Sequence, residues 1–309
     1  MPRPSPWPSA RDWARLDEGI LHFLQFLIDG LLLGGVYAAV GVGFALVWGI
    51  MNVINLAHGA LIMLGAYVTF WLFKIGGIDP FLSIPISMLA LFVLGWLIQR
   101  LLINYVVRAP ILITFLLTFG LELIIVDLAL NFFSADNRSV QTFYAGQHWE
   151  LGGGDIIIPQ VHLYTLLVAL ALTAVMQLFL AKTRTGNAIR ATSMDLDAAR
   201  LVGINIRQIY ALTFAIGAAA AGAAGSLISL NYSINPGAGE FYTPIAFVVC
   251  VLGGLGSISG ALVGGLAFGV IQSLSQAFIG PAYQNAIAFG LLVVVLLLKP
   301  SGILGKASS

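Results

Sequence analysis

The stretch KTRTGNAIRATSMDLDAARLVGINIRQIYALTFAIGAAAAGAAG, residues 182–225, frames the reading of the whole chain. It is the longest charged interruption in an otherwise apolar sequence, and it leads directly into a run of small residues. Asp195 precedes Leu196, Ala198, Ala199 and Leu201, and Gly203 follows. An acid that can accept the free amides of a first turn, and a glycine that can take the left-handed conformation after the last, predict a short capped helix. Just upstream, Ala188, Ile189 and Ala191 are spaced to pack. A basic loop that only sets the orientation of a membrane protein needs no such order. A folded loop at this point reads instead as a docking surface for another subunit.

Outward from that loop, the composition decides the class. Hydrophobic residues make up 59% of the 309 positions, charged residues 9%, and there are 35 glycines. Soluble domains carry about a quarter charged residues, so most of this chain meets lipid. With about 20 apolar residues per crossing, its length holds roughly eight to ten spans. The expected fold is all-α, a polytopic integral membrane helix bundle of about eight or nine spans, some of them short or broken. A formal net charge of +1 with scattered basic residues gives no nucleic-acid stripe. The single cysteine, Cys250, excludes an internal disulfide and reads as a small packing residue. Residues 1–22 are polar and proline-rich, without the pattern of a signal peptide, and read as a retained tail. Within it, residues 10–26 could form an interfacial helix with Trp7 and Trp13 near the headgroups.

The spans run through residues 23–48, 56–73, 81–102, 111–133, 161–181 and 209–230, followed by shorter glycine-broken segments to 298. Small residues recur every four positions at Gly30 and Gly34, at Gly35, Ala39 and Gly43, and again at Gly217, Ala221 and Gly225. Such faces let helices approach closely. Asn52, Asn55 and His58 interrupt the apolar pattern, either as a turn at the surface or as a broken helix inside the bundle. Backbone of that kind is tolerated at membrane depth only where protein or water satisfies it, here by Asn52, Asn55, Ser257, Ser259 or water. Gly253, Gly254 and Gly256 break a second run after about a dozen apolar residues, too few for a full crossing. No lysine follows those glycines, so they form no phosphate loop. His58 lacks a Glu-x-x-His partner, which speaks against metal, and no nucleophile and base stand at catalytic spacing. Glu122 and Asp127 lie in one span about 140° apart around the helix, which argues against a paired acid and base. Residues 136–160 read as a loop with a GGGD turn at 152–155. The interior offers amides, hydroxyls and glycine backbone, with neither a cation in a span nor an aromatic cage, so a weakly binding passage is expected.

Three motif regions carry a resemblance. TGNAIRATSMDLDAARLVGIN with ALTFAIGAAAAGAAG, residues 185–205 and 211–225, resembles the coupling loop and following helix of LivH-type permeases, membrane subunits of branched-chain amino acid ABC importers. Ile54, Asn55, Ala57, His58 and Gly59 match that family's INxAHG signature, with Leu56 where many members carry Phe. VLGGLGSISGALVGG at 251–265 matches VLGGxGSxxGAxxGG, and KPSGILG at 299–305 matches the usual ending. The resemblance covers residues 23–305, a permease domain with a cytoplasmic coupling loop at 182–208, leaving 306–309 as a tail.

The resemblance implies an inner-membrane permease that binds no cofactor and catalyses nothing, with ATP and Mg held by a separate ATPase. Its implied partners are a second, LivM-type permease, two ATPases and a periplasmic solute-binding protein. Arg190, Asp195, Asp197, Ala198, Ala199, Arg200 and Gly203 become the expected ATPase-coupling residues. Asn52, Asn55, His58, Gly254, Gly256, Ser257 and Ser259 become the expected lining of the translocation pathway. Arg100, Arg108, Lys182, Arg184, Arg190, Arg200, Arg207, Lys299 and Lys306 account for nine of the 14 basic residues and put their loops and the C-terminus in the cytoplasm, the N-terminus outside. Related permeases also serve urea or short amides, and an ion-coupled carrier is the alternative of a different class, favoured only by Glu122 and Asp127.

Overall fold

The computed structural model describes residues 10–107, 109–151, 156–299 and 302–304. Helix α1, Ala10–Met51, is continuous over 42 residues. The boundary expected at residue 22 is therefore a change of composition and not of conformation, because residues 10–29 are mostly good helix formers without proline. After a non-helical stretch come α2, His58–Gly76, and α3, Pro80–Ile98, whose cap Asp79 accepts from the Phe81 amide at 2.9 Å. A π turn, Gln99–Ile103, and the short α4, Asn104–Val106, extend α3, and α5, Ile111–Phe133, follows Pro110. Where the sequence suggests only a loop, β1, His148–Leu151, and β2, Ile156–Pro159, form an antiparallel hairpin with Leu151 opposite Ile156. Then come α6, Gln160–Lys182, α7, Arg184–Met194, α8, Leu196–Leu201, and α9, Ile206–Asn231. A 3₁₀ turn at Pro236–Ala238 opens α10, Gly239–Gly253, and α11, Ile258–Phe278, and α12, Gln284–Leu298, close the chain. The expectations for Trp7, Trp13, Arg108, the turn at 152–155 and Lys306 concern side chains or segments outside the described residues.

Among the described residues, eight helices are long and apolar enough to cross a membrane, and α12 is apolar but shorter. The chain is thus a polytopic helical membrane protein. The most apolar stretches of α1 and α9 are 89% buried, whereas those of α5 and α6 are only 22% buried. The small-residue faces explain the burial. A Cβ at Gly34 would stand 2.7 Å from Leu266 Cα, and one at Gly49 would stand 2.7 Å from Gly256 Cα, so α1 and α11 run antiparallel in backbone contact. Gly217 and Gly225 of α9 do the same for α1 and α2. Without a hydrophobic drive between helices in lipid, such approach and interhelical hydrogen bonds hold the bundle. Thr69 Oγ1 donates to Ser226 Oγ at 2.8 Å, and Ser87 Oγ donates to the Gly222 carbonyl at 3.0 Å.

The helices order the molecule into two ends. At one end Gln25 Nε2 donates to the Ile157 carbonyl at 2.8 Å, and the Arg138 amide donates to the Ile234 carbonyl at 2.8 Å. The Tyr144 hydroxyl donates to Asp79 Oδ2 at 2.9 Å, and burial with that adjacent carboxylate pushes the phenol above its usual range. The other end holds the last turn of α1, the π turn, α7, α8 and the turn between α10 and α11.

Candidate functional site

The first interruption falls at residues 52–57, between α1 and α2. Asn52 ends α1 with φ of 50°, a left-handed conformation that asparagine tolerates. Three residues on, Asn55 is buried with no partner for Oδ1. The freed backbone is held by two threonines from other helices. Thr118 Oγ1 of α5 accepts from the Leu56 amide at 3.3 Å and lies 3.0 Å from the Ile54 carbonyl oxygen. Thr243 Oγ1 of α10 accepts from the Gly59 amide and donates to the Leu56 carbonyl, both at 2.9 Å. These hydroxyls do the work that the sequence reading assigns to Asn52 and Asn55. His58 Nε2–H donates to the Val40 carbonyl at 3.0 Å, and its ring meets Phe44 edge-on at 5.5 Å. The histidine thereby fixes the start of α2 at the middle of α1, where Gly59 lies backbone to backbone against Gly239.

The second interruption lies against the end of α1, where Gly256 meets Gly49. Gly254 with φ of 111° and Gly256 with φ of 79° turn the chain after α10, and Ser257 Oγ caps α11 by accepting from the Gly260 amide at 3.0 Å. The last carbonyls of α10 take the amides of the C-terminal segment: Ile303 N–H donates to Leu252 at 2.8 Å and Leu304 N–H to Gly253 at 3.0 Å. The ending that the sequence offers only as a motif has this physical task.

The charged loop folds as its caps require. Thr183 Oγ1 accepts from the Gly186 amide at 2.9 Å, and Asp195 Oδ1 accepts from the Asp197 and Ala198 amides, each at 2.9 Å. Gly203, φ 86°, ends α8, with Ile204 N–H returning to the Ala199 carbonyl at 3.1 Å. Asp197 and Arg200 form an exposed ion pair at 3.1 Å. Ile189 is buried, as its spacing suggests, and Ala199 is only 3% exposed, turned toward its own bundle. Ala198 is exposed, as are three large apolar side chains, Met194, Leu201 and Val202, at 85%, 89% and 76%.

The structure joins part of the expected site and separates the rest. Arg190 of α7 lines one cavity of about 460 Å³ together with Gly49, Gly256, Ser257 and Ser259. The charged loop thus abuts the turn between α10 and α11. Asn55 and His58 belong to the bundle centre and do not reach this cavity, and Asn52 is exposed at the end of α1. Glu122 is buried on the inner face of α5 while Asp127 faces outward, as their angular separation requires. Where no aromatic cluster is expected, Tyr37, Tyr232 and Tyr242 line a single cavity of about 570 Å³ with Glu240. Their helices are distant in sequence, and no local pattern announces the meeting.

Comparison with known proteins follows this architecture. A family model described as "Branched-chain amino acid transport system / permease component" matches residues 26–296. The high-affinity branched-chain amino acid transport system permease protein BraD of Pseudomonas aeruginosa is 35% identical over 93% of this chain and 97% of its own length. LivH of Escherichia coli K12, of the same description, is 36% identical over 94% and 98%. The probable branched-chain amino acid transport permease protein LivH of Methanocaldococcus jannaschii is 27% identical over 91% and 92%. No solved structure matches.

Proposed function

The chain belongs to the branched-chain amino acid transport system permease family, and on that premise we propose that it is the membrane-spanning subunit of an ATP-driven ABC importer of branched-chain or related amino acids. The family match over residues 26–296 carries this reading. Its partners are a second, LivM-type permease, two ATPases and a periplasmic binding protein that selects the solute. This chain holds no cofactor, and ATP and Mg stay with the ATPases.

In this reading α7 and α8 form the contact with one ATPase. Met194, Ala198, Leu201 and Val202 supply the apolar knobs, and Arg190, Asp195, Asp197 and Arg200 the charged rim. Large apolar side chains exposed beyond the membrane mark a surface that a partner covers. A rigid capped pair of helices transmits displacement, and Gly203 is its flexible joint to α9. Through the cavity at Arg190, that displacement reaches Gly256, Ser257 and Ser259, in the turn that Gly254 opens between α10 and α11. Thr118, Thr243 and His58 hold the matching break between α1 and α2, where Asn52 and Asn55 lie. The basic end lies in the bacterial cytoplasm and the start of α1 in the periplasm, because short basic loops stay inside.

The test is uptake by proteoliposomes holding both permeases. Leucine accumulation that requires the ATPases, ATP and the loaded binding protein is expected. Uptake driven by a sodium or proton gradient without the ATPases would make the chain a secondary carrier. A binding protein whose melting temperature rises with urea or short amides, and not with leucine, would replace the solute while keeping the machine.

A further inference from the structure

The cavity of about 570 Å³ at the end opposite α7 and α8 carries a set of polar side chains in an otherwise apolar wall. The Tyr37 hydroxyl, inside α1, donates to Gln272 Oε1 of α11 at 2.5 Å, and Gln272 Nε2 donates to Asn285 Oδ1 of α12 at 2.6 Å. Asn235, Gln276 and Gln284 add further amides to the wall. Such a lining does not face lipid: polar side chains at membrane depth turn toward protein or a water-filled space. One charge enters it, Glu240 in the first turn of α10, and neither Lys nor Arg is among the lining residues. Among the described residues no cation pairs with that exposed carboxylate, and its charged neighbour is a second acid, Glu122 of α5. Tyr37, Tyr232 and Tyr242 line the same cavity, as do the apolar Leu33, Ile245 and Phe289.

A carboxylate with no cationic partner, in a cavity also lined by three tyrosines, is complementary to an organic cation, and the apolar part of the wall to an aliphatic chain. Amides alone await an anion, which keeps affinity for a zwitterion weak. We infer that this cavity is a transient binding site for the travelling solute, in which Glu240 takes the α-ammonium group and the apolar wall takes the aliphatic side chain. The inference rests on the amino acid reading of the function. Weakness suits the role, since a passage must release what it receives.

The experiment uses the complete importer in nanodiscs without its binding protein, and saturation-transfer NMR with two probes. Leucine carries the ammonium group, and 4-methyl-2-oxopentanoate has the same carbon skeleton without it. Transfer to the leucine methyls is expected, with far less to the keto acid. Glu240→Gln should weaken leucine binding by about tenfold, the loss of one charge-assisted contact. Tyr232→Ala, at an exposed position, should weaken it in the same direction while the assembled complex elutes unchanged. Equal transfer to both probes, or leucine binding indifferent to Glu240→Gln, overturns the inference. Leucine uptake by the same preparation, with ATP and binding protein supplied, checks the functional reading separately. Uptake without Glu240-dependent contact defeats the cavity alone, whereas absence of leucine uptake defeats the functional reading and the cavity with it.

Discussion

At the scale of single residues, two hydroxyls decide whether the break before α2 can exist. Thr243 lies buried between the Gly59 amide and the Leu56 carbonyl and satisfies both. Replacing it with the isosteric valine leaves a donor and an acceptor unpaired in a dry interior, which costs about 1–3 kcal/mol for each group that water cannot reach. Thr243→Val should therefore lower the thermal midpoint of the purified permease, and Thr243→Ser should restore most of it. A valine variant as stable as the parent would show that the break is held elsewhere. The break itself was legible, because Asn52, Asn55 and His58 stand out in an apolar run. Its supports were not. Thr118 and Thr243 sit far along the chain, and a threonine inside an apolar helix gives no local sign of whose backbone it serves. His58 was legible as an anomaly and explained only by geometry, since the Val40 carbonyl that binds it belongs to a helix interior whose oxygens are otherwise engaged.

Among elements, α8 is the clearest case of a local signal that carries structure but not orientation. Asp195 and Gly203 announce the helix because caps are properties of adjacent residues. Which side of six residues faces outward depends on α9, and there Ala199 turned inward while Leu201 and Val202 turned out. In an amphipathic pattern those two read as core. The difference changes the coupling experiment. Leu201→Asp should leave the permease folded and inserted but lower solute-stimulated ATP hydrolysis by the assembled importer at least about tenfold, as loss of a buried apolar contact at an interface centre does. Ala199→Asp should instead disturb the permease itself, seen as reduced yield and a lower melting point. Undiminished stimulated hydrolysis in the Leu201 variant would remove α8 from the ATPase interface. A second element-level expectation concerns the C-terminal segment. Removing residues 302–309 takes away the amides of Ile303 and Leu304 that satisfy α10 at Leu252 and Gly253. The end of α10 should then fray, with faster amide hydrogen exchange at residues 250–254 than in the full chain, and equal exchange would deny the cap.

On the scale of the whole molecule, the glycine spacing made close helix contact legible but not the identity of the contacts. Gly30 and Gly34 meet α11, Gly35 meets Leu166 of α6, and Gly43 meets α9, so one small-residue helix serves three neighbours around its circumference. That arrangement puts α1 at the centre and fixes the two ends of the bundle relative to each other. Arg100, Lys182, Arg184, Arg190, Arg200, Arg207 and Lys299 belong to one end. At the other end Lys74 lies 5.3 Å from the Trp71 ring, and Arg138 also lies 5.3 Å from it, so both cations rest on aromatic faces within the protein. The basic residues gathered at the α7 and α8 end outnumber these two, and the charge bias should hold that end in the cytoplasm. The lone Cys250 is buried, so the parent chain gives a low background to thiol reagents and single reporters can test the sidedness. Ala135→Cys and Ser193→Cys place exposed thiols at opposite ends of the bundle. In intact spheroplasts a membrane-impermeant maleimide should label the reporter at 135 and spare the one at 193, and in inside-out vesicles the pattern should reverse. Labelling of both from one side would mean that the bundle does not cross as its helices indicate. The reversed pattern would put α8 outside the cell, where no ATPase could reach it, and the coupling role would fall with the orientation.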